Sequence, residues 1–177
     1  MCDACMELED LLSVFGGRGA ARALGLEDRS IADSQITANS PTLWGSSWEF
    51  PHVRLNDGHC WIAGNAHVAG QLAALQVWIQ FDLLGLKLIT GVAIQPRSAN
   101  GQRTTRFRIS TTRSPNDALV DLGDFDGNMG GSNEDRRDFE TPVVAQILRL
   151  TCLQVGGNHN SMRMEMYGFD VDDLGAC

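Results

Sequence analysis

The feature that most constrains this chain is a two-residue period. In Trp78-Ile79-Gln80-Phe81-Asp82-Leu83, polar and apolar side chains alternate. The same alternation runs through Arg106-Phe107-Arg108-Ile109-Ser110, Leu148-Arg149-Leu150-Thr151-Cys152 and Met162-Arg163-Met164-Glu165-Met166-Tyr167. In an extended strand, successive side chains point to opposite faces, so each segment carries one apolar face. Such a face must be buried against a second layer. Leu88 to Gln95 adds an apolar run of strand length, and Ser34 to Ala38 adds a short strand. Stretches rich in Gly, Asn, Ser and Pro separate these segments. Short strands punctuated by turn formers predict an all-β sandwich or jelly roll.

Three stretches depart from that pattern. Met6 to Phe15 has the spacing of one short amphipathic helix, ended by Gly16, Gly17 and Gly19. Ala63 to Leu75 lies between strands and has room for a helical turn. Asp121 to Asp138 is rich in Gly and Asp and is expected to be a long surface loop. The expected organisation is a 1–22 extension with a helical appendage, a 23–169 domain, and a 170–177 acidic tail.

At 177 residues with 43% apolar content, the chain can bury one full core. No apolar run reaches the roughly 20 residues of a membrane span. The N-terminus lacks a secretory signal's basic start and apolar core, so a removed signal or a longer parent chain is expected. The net charge of -8 disfavours a nucleic-acid ligand. That charge sits largely at the ends, in Asp3, Glu7, Glu9 and Asp10 and in Asp170, Asp172 and Asp173. The body between them is nearly balanced.

Catalytic and metal signatures are weak. The spacing of Cys2, Cys5, Cys60, Cys152 and Cys177 matches no zinc ribbon or finger. His52, His59, His67 and His159 show no metal-binding spacing. Cys60 and Cys152 are expected in the core as small apolar residues. No G-x-S-x-G, H-E-x-x-H or phosphate loop occurs. Asp121, Asp124, Asp126 and Asn128 have the composition of a calcium loop without EF-hand spacing. A solvated acidic loop is therefore the default, with structural calcium as the alternative and no cofactor expected. The chain reads as a binding protein, not an enzyme.

The order of motifs is similar to the discoidin family, also called the coagulation factor V/VIII C-type domain. Leu24-Gly25-Leu26-Glu27 leads to Asp33-Ser34-Gln35-Ile36-Thr37-Ala38. A loop with Trp44 and Trp48 closes on Val53-Arg54-Leu55-Asn56, and Cys60-Trp61 stands for the family's Ala-Trp pair. Trp78 to Leu83, Ile89-Thr90-Gly91-Val92 and Phe139-Glu140-Thr141-Pro142 follow. Met162-Arg163-Met164-Glu165-Met166-Tyr167-Gly168 closes the series. The resemblance runs from Leu24 to Gly168. It implies a jelly roll of about eight strands in two antiparallel sheets, related to galactose-binding domains. It also implies an extracellular or cell-surface location and a buried Trp48. Relatives bind anionic phospholipid, glycans, collagen or growth factors, and fold alone does not choose among them.

The family's terminal disulfide has no counterpart here, because Ala20, Ala21 and Phe169 hold those places. The resemblance implies that Cys5, or Cys2, pairs with Cys177 instead. That bridge would be worth roughly 2–4 kcal/mol.

The resemblance also places three loops at one end of the sandwich. Leu43, Trp44, Gly45 and Ser46 occupy the first, among turn formers that favour an exposed apolar tip. Arg97, Asn100, Gln102 and Arg103 make the second polar, suited to hydroxyls and carboxylates or to a plain hairpin. Gly156-Gly157-Asn158-His159-Asn160 forms the third, with Asn158 and His159 as candidate contacts. Burying Leu43 and Trp44 yields up to ~5–7 kcal/mol. Docking costs remove much of that and leave millimolar-class binding, so a second contact is needed. Arg54, Arg149, Arg163, Asp82 and Glu165 are expected at outward or edge positions, pairing to hold sheets and loops together. The expected function is adhesion to a cell-surface or matrix ligand, with anionic phospholipid as the first candidate. Lectin-like glycan binding and a protein ligand remain alternatives.

Overall fold

The computed structural model describes residues 20–39, 50–62, 77–97, 101–128, 130, 133–157 and 159–171. Among them are eight strands: β1 (Arg22–Ala23), β2 (Ile36–Ala38), β3 (Trp61–Ile62), β4 (Trp78–Gln95), β5 (Arg103–Thr112), β6 (Val120–Asp126), β7 (Asp135–Gly156) and β8 (Ser161–Asp170). Short 3-10 turns at Asp33–Gln35 and Phe50–Val53 join them. The expected helix over Met6–Phe15 and the turn within Ala63–Leu75 lie outside the described residues, as does Trp48.

The pairings divide into two antiparallel ladders that share two strands. In the first, β2 pairs with the start of β4 (Ile36↔Phe81), and β4 with the end of β7 (Ile79↔Leu150). That ladder continues through β5 (Ile109↔Leu150) to β6 (Phe107↔Phe125). In the second, β1 and β3 pair with β8, and β8 with the end of β4 (Ile94↔Met164). There β4 meets the start of β7 (Ile94↔Asp135). The two strand signals at Val77–Leu83 and Leu88–Gln95 are thus one bent strand. Its register shifts between Asp82 and Lys87. Leu84 turns through a positive φ of 57° at this corner and stands 72% exposed. The Asp82 carboxylate fixes the corner on both strands, accepting from the Leu84 N–H at 2.8 Å and the Gln146 amide at 3.0 Å.

The alternating apolar positions meet in the core as their period requires. Ile79, Phe81, Leu148, Leu150, Phe107 and Ile109 come from the first ladder. Ile89, Val92, Ile94, Met162, Met164 and Met166 come from the second, with Trp61 fully buried among them. Phe125 bridges Phe107 and Phe139, with ring centroids at 5.7 and 5.5 Å.

Two expectations are corrected. The supposed loop over Asp121–Asp138 contains β6 and the start of β7. Asp121 and Asp124 are strand residues whose side chains pair with Arg106 and Arg108 on the neighbouring β5, so a charged composition was compatible with a ladder. Second, Arg54, Arg163 and Glu165 are buried, not outward, with Arg54 1% and Glu165 0% exposed. Alternation marks the polar face of β8, but it does not reveal that residues 24–33 and 53–57 cover that face. The expected structural pairing is present. Arg54 donates to the carbonyls of Leu26 (2.9 Å) and Ile31 (2.8 Å) and pairs with Asp33. Glu165 accepts from the backbone N–H groups of Leu26 (3.1 Å), Glu27 (2.8 Å) and Met166 (2.8 Å).

Burial pushes the Glu165 carboxyl above its ordinary range, against the opposing pull of those N–H donors. A raised folded pKa contributes stability that is fully present below the unfolded value and is lost as pH rises through the folded one. Glu165→Gln turns an amide toward buried N–H donors and is expected to cost roughly 2–4 kcal/mol. Urea titration should show a lower midpoint with an unchanged slope. The gap from wild type should be widest in acid and narrow as pH rises. An unchanged midpoint would refute the clasp.

Candidate functional site

The β5–β7 register brings the second and third loops together at one pole of the sandwich. Arg103 lies opposite Gly156, and Thr104 opposite Val155. The second loop is closed by a backbone bond from Arg97 N–H to the Gln102 carbonyl at 3.2 Å. The Arg97 guanidinium also donates to Gln102 Oε1 at 2.8 Å. Arg103 donates to the Gly101 carbonyl at 2.8 Å. Its guanidinium lies over Gly156, where an added Cβ would come within 2.7 Å of Cζ. Gly157 has φ +78°, and a Cβ there would stand 3.0 Å from the Gly101 carbonyl oxygen. Gly157 thus lets the loops touch backbone to backbone, and Gly156 leaves room for the Arg103 guanidinium.

A buried polar layer supports the loops. The Thr104 hydroxyl donates to Asn160 Oδ1 at 3.1 Å, and the Ser161 hydroxyl donates to Cys60 Sγ at 3.2 Å. Arg163 fixes the root of the second loop through the Pro96 carbonyl at 2.6 Å and reaches the Asp57 carbonyl at 2.8 Å. Both buried thiols fit the expected core role. Burial raises the Cys60 thiol and pushes Cys152 up to about 12. Each is held as a thiol near neutral pH, the wrong state for a nucleophile.

Of the sequence candidates, Arg97, Gln102, Arg103 and His159 come to this pole. Gln102 and His159 are nearly buried, and Gln102 acts by holding Arg97. Arg97 and Arg103 are half-buried and are the cations of the site. Leu43, Trp44, Gly45, Ser46, Asn100 and Asn158 lie outside the described residues, as do Cys5 and Cys177. The first loop's root does belong to this pole. Asn39 and Trp78 bond each other there, and the Val77 carbonyl accepts from Cys152 N–H at 2.8 Å. Thr104 and Ser161 were not anticipated, because a buried hydroxyl leaves no mark on the two-residue period.

Of the acidic residues considered as a calcium loop, Asp121 and Asp124 face arginine. Arg108 reaches Asp124 at 2.7 Å and Asp121 at 3.2 Å, and Ser110 donates to Asp121 at 2.6 Å. The Arg108 hydrogen bond is the main cause that holds Asp124 below the usual carboxylate range. Asn128 donates to the Asn133 carbonyl at 2.9 Å. Among the described residues, no three His, Cys, Asp or Glu side chains converge as metal ligands.

The backbone contact between the loops is testable. Gly157→Val places a branched side chain at positive φ against Gly101, at a cost of about 1–3 kcal/mol. Thermal melting should fall by about 2–4 °C per kcal/mol, and amide resonances of Gly101 to Arg103 should shift. Unmoved second-loop resonances would show that the loops are independent.

Comparison with known proteins gives this geometry a lineage. The family profile of the F5/8 type C domain matches residues 35–166. Mouse (Mus musculus) coagulation factor V is 26% identical over 172 residues, covering 86% of this chain and 7% of that protein. Bovine (Bos taurus) lactadherin is 28% identical over 163 residues, covering 85% of this chain and 37% of that protein. The chain therefore spans well under half the length of these relatives. Among solved structures, discoidin II of Dictyostelium discoideum has a TM-score of 0.67 at 16% identity. It covers 88% of this chain and 60% of its own. The family 32 CBM of C. perfringens NanJ, in complex with galactose, has a TM-score of 0.62 at 18% identity. It covers 83% of this chain and 98% of its own. These structures establish the shared jelly roll.

Proposed function

The chain belongs to the F5/8 type C domain family, and from that premise we propose that it is a non-catalytic extracellular adhesion module whose loop pole grips anionic phospholipid. The observation that carries this reading is the placement of Arg97 and Arg103 on adjoining loops. Each is held by its own loop, through Gln102 and Gly101. A guanidinium fixed in this way loses little freedom when it meets a phosphate or carboxylate. The first loop supplies the complementary part, an apolar insertion by Leu43 and Trp44.

The magnitudes require both parts. The apolar tip alone leaves millimolar-class binding after docking costs. Each Arg near an anionic surface adds about 1 kcal/mol, so two raise affinity by roughly 30-fold. The polar character of the second and third loops favours glycan as the second reading at the same pole. The galactose held by the NanJ domain makes a neutral sugar the natural competitor in the test.

Sedimentation with phosphatidylserine-containing vesicles, against phosphatidylcholine alone, separates the readings. Binding should require phosphatidylserine and weaken with salt. The double change Arg97→Glu, Arg103→Glu is expected to reduce it roughly 30-fold or more, and Trp44→Ala to weaken it as well. Binding that survives all three substitutions would overturn the loop-pole grip. Sugar binding lost in the arginine variant, with no vesicle binding, would replace lipid by glycan.

A further inference from the structure

Beside the root of the first loop, the outer face of the first ladder carries a groove of about 440 Å³ that runs from Asn39 and Trp78 to Asp121. Its origin is visible in the register. Trp78, Thr151 and Arg108 lie in one row across β4, β7 and β5, and Gln80, Arg149, Ser110 and Asp121 lie in the next. Small residues, Thr151 and Ser110, stand at the middle of each row between long ones. Neighbouring strands are about 4.8 Å apart, so the flanking Trp78 and Arg108 strands are roughly 10 Å apart. That width admits one sugar ring.

The charges in the groove are not equivalent. Arg108 is balanced by Asp121 and Asp124. Arg149 is not balanced by a carboxylate among the described residues. Its guanidinium lies 4.0 Å over the Trp78 ring and donates Nε and Nη2 to Gln80 Oε1 at 3.0 and 2.7 Å. Both groups hold the fork rigid while a second edge remains for an acceptor. Burial is the cause that lowers the Arg149 pKa. Beside it, the Thr151 and Ser110 hydroxyls and the Asp121 carboxylate supply hydrogen-bonding partners for alcohols.

We infer that this groove is a second ligand site, distinct from the Arg97 and Arg103 grip, that takes a monoanionic acidic sugar with its carboxylate on Arg149 and its hydroxyls toward Thr151, Ser110 and Asp121. Among the described residues Arg149 has no carboxylate partner, and one such cation calls for one carboxylate. Asp121 at the rim disfavours a polyanion, and the polar lining disfavours an apolar occupant.

The test uses the full chain, isotope-labelled, titrated with sodium glucuronate, glucose and acetate while amide and indole resonances are followed. Glucuronate is expected to shift the Trp78 indole and the Thr151 and Ser110 amides saturably, with glucose and acetate at least ten-fold weaker. Arg149→Gln should weaken glucuronate at least ten-fold, whereas Arg97→Glu, Arg103→Glu should leave it unchanged. Thr151→Phe fills the groove without touching the guanidinium and should also abolish the shifts, which keeps the test valid if Arg149→Gln does not fold. Three outcomes would overturn the site: no saturable shift by roughly 100 mM, equal response to glucose or acetate, or shifts confined to Gly101, Arg103 and Gly157. None of them bears on vesicle binding at the loop pole.

Discussion

Everything in this sandwich depends on two strands serving both of its layers. β4 and β7 pair with each other twice, once in each ladder, and bend together at Asp82–Lys87 and Ala145–Ile147. The Asp82 carboxylate binds both sides of this bend. It converts a local irregularity into a fixed corner, because an unpaired carboxylate there would lose two bonds at once. Layer spacing, core width and loop direction follow from that corner. The loops leave from the far ends of strands whose registers it sets.

A second constraint acts on β8, which is covered on both faces. Its methionines enter the core, while Arg163 and Glu165 face a coat formed by residues 24–33 and 53–57. Glu165 and Arg54 hold this coat by collecting backbone donors and acceptors that would otherwise be buried without partners. The same strand anchors the loop pole, since Arg163 bonds the Pro96 carbonyl. Core, coat and binding loops are therefore mechanically one unit.

Much of this was legible from residues because burial writes a period into a strand. Phe81, Phe107, Leu150 and Met164 fall where alternation puts them. The bend in β4 was not legible. Leu88 and Ile89 read as a fresh strand because a corner interrupts the period as a loop does. The β6 acids misled for a related reason, since cross-strand pairing to Arg106 and Arg108 is invisible in composition. At the loop pole, the residue types were readable but not their division of labour. Gln102 reads as a ligand contact in sequence, whereas in the fold its amide oxygen holds Arg97. The Arg149 groove depends on which small residues stand beside which large ones across three strands, information that register alone supplies.

At the opposite pole, β1 and β8 lie side by side, with Arg22 opposite Gly168, and Asp170 gathers both Arg22 and Lys87. The first and last strands of the sandwich therefore meet at one point, where ion pairs join them. Tension applied between those strands loads the β1–β8 bonds one after another, as in opening a zipper, and not all together as in shear. Salt, which screens the ion cluster, sets how readily this pairing yields under load.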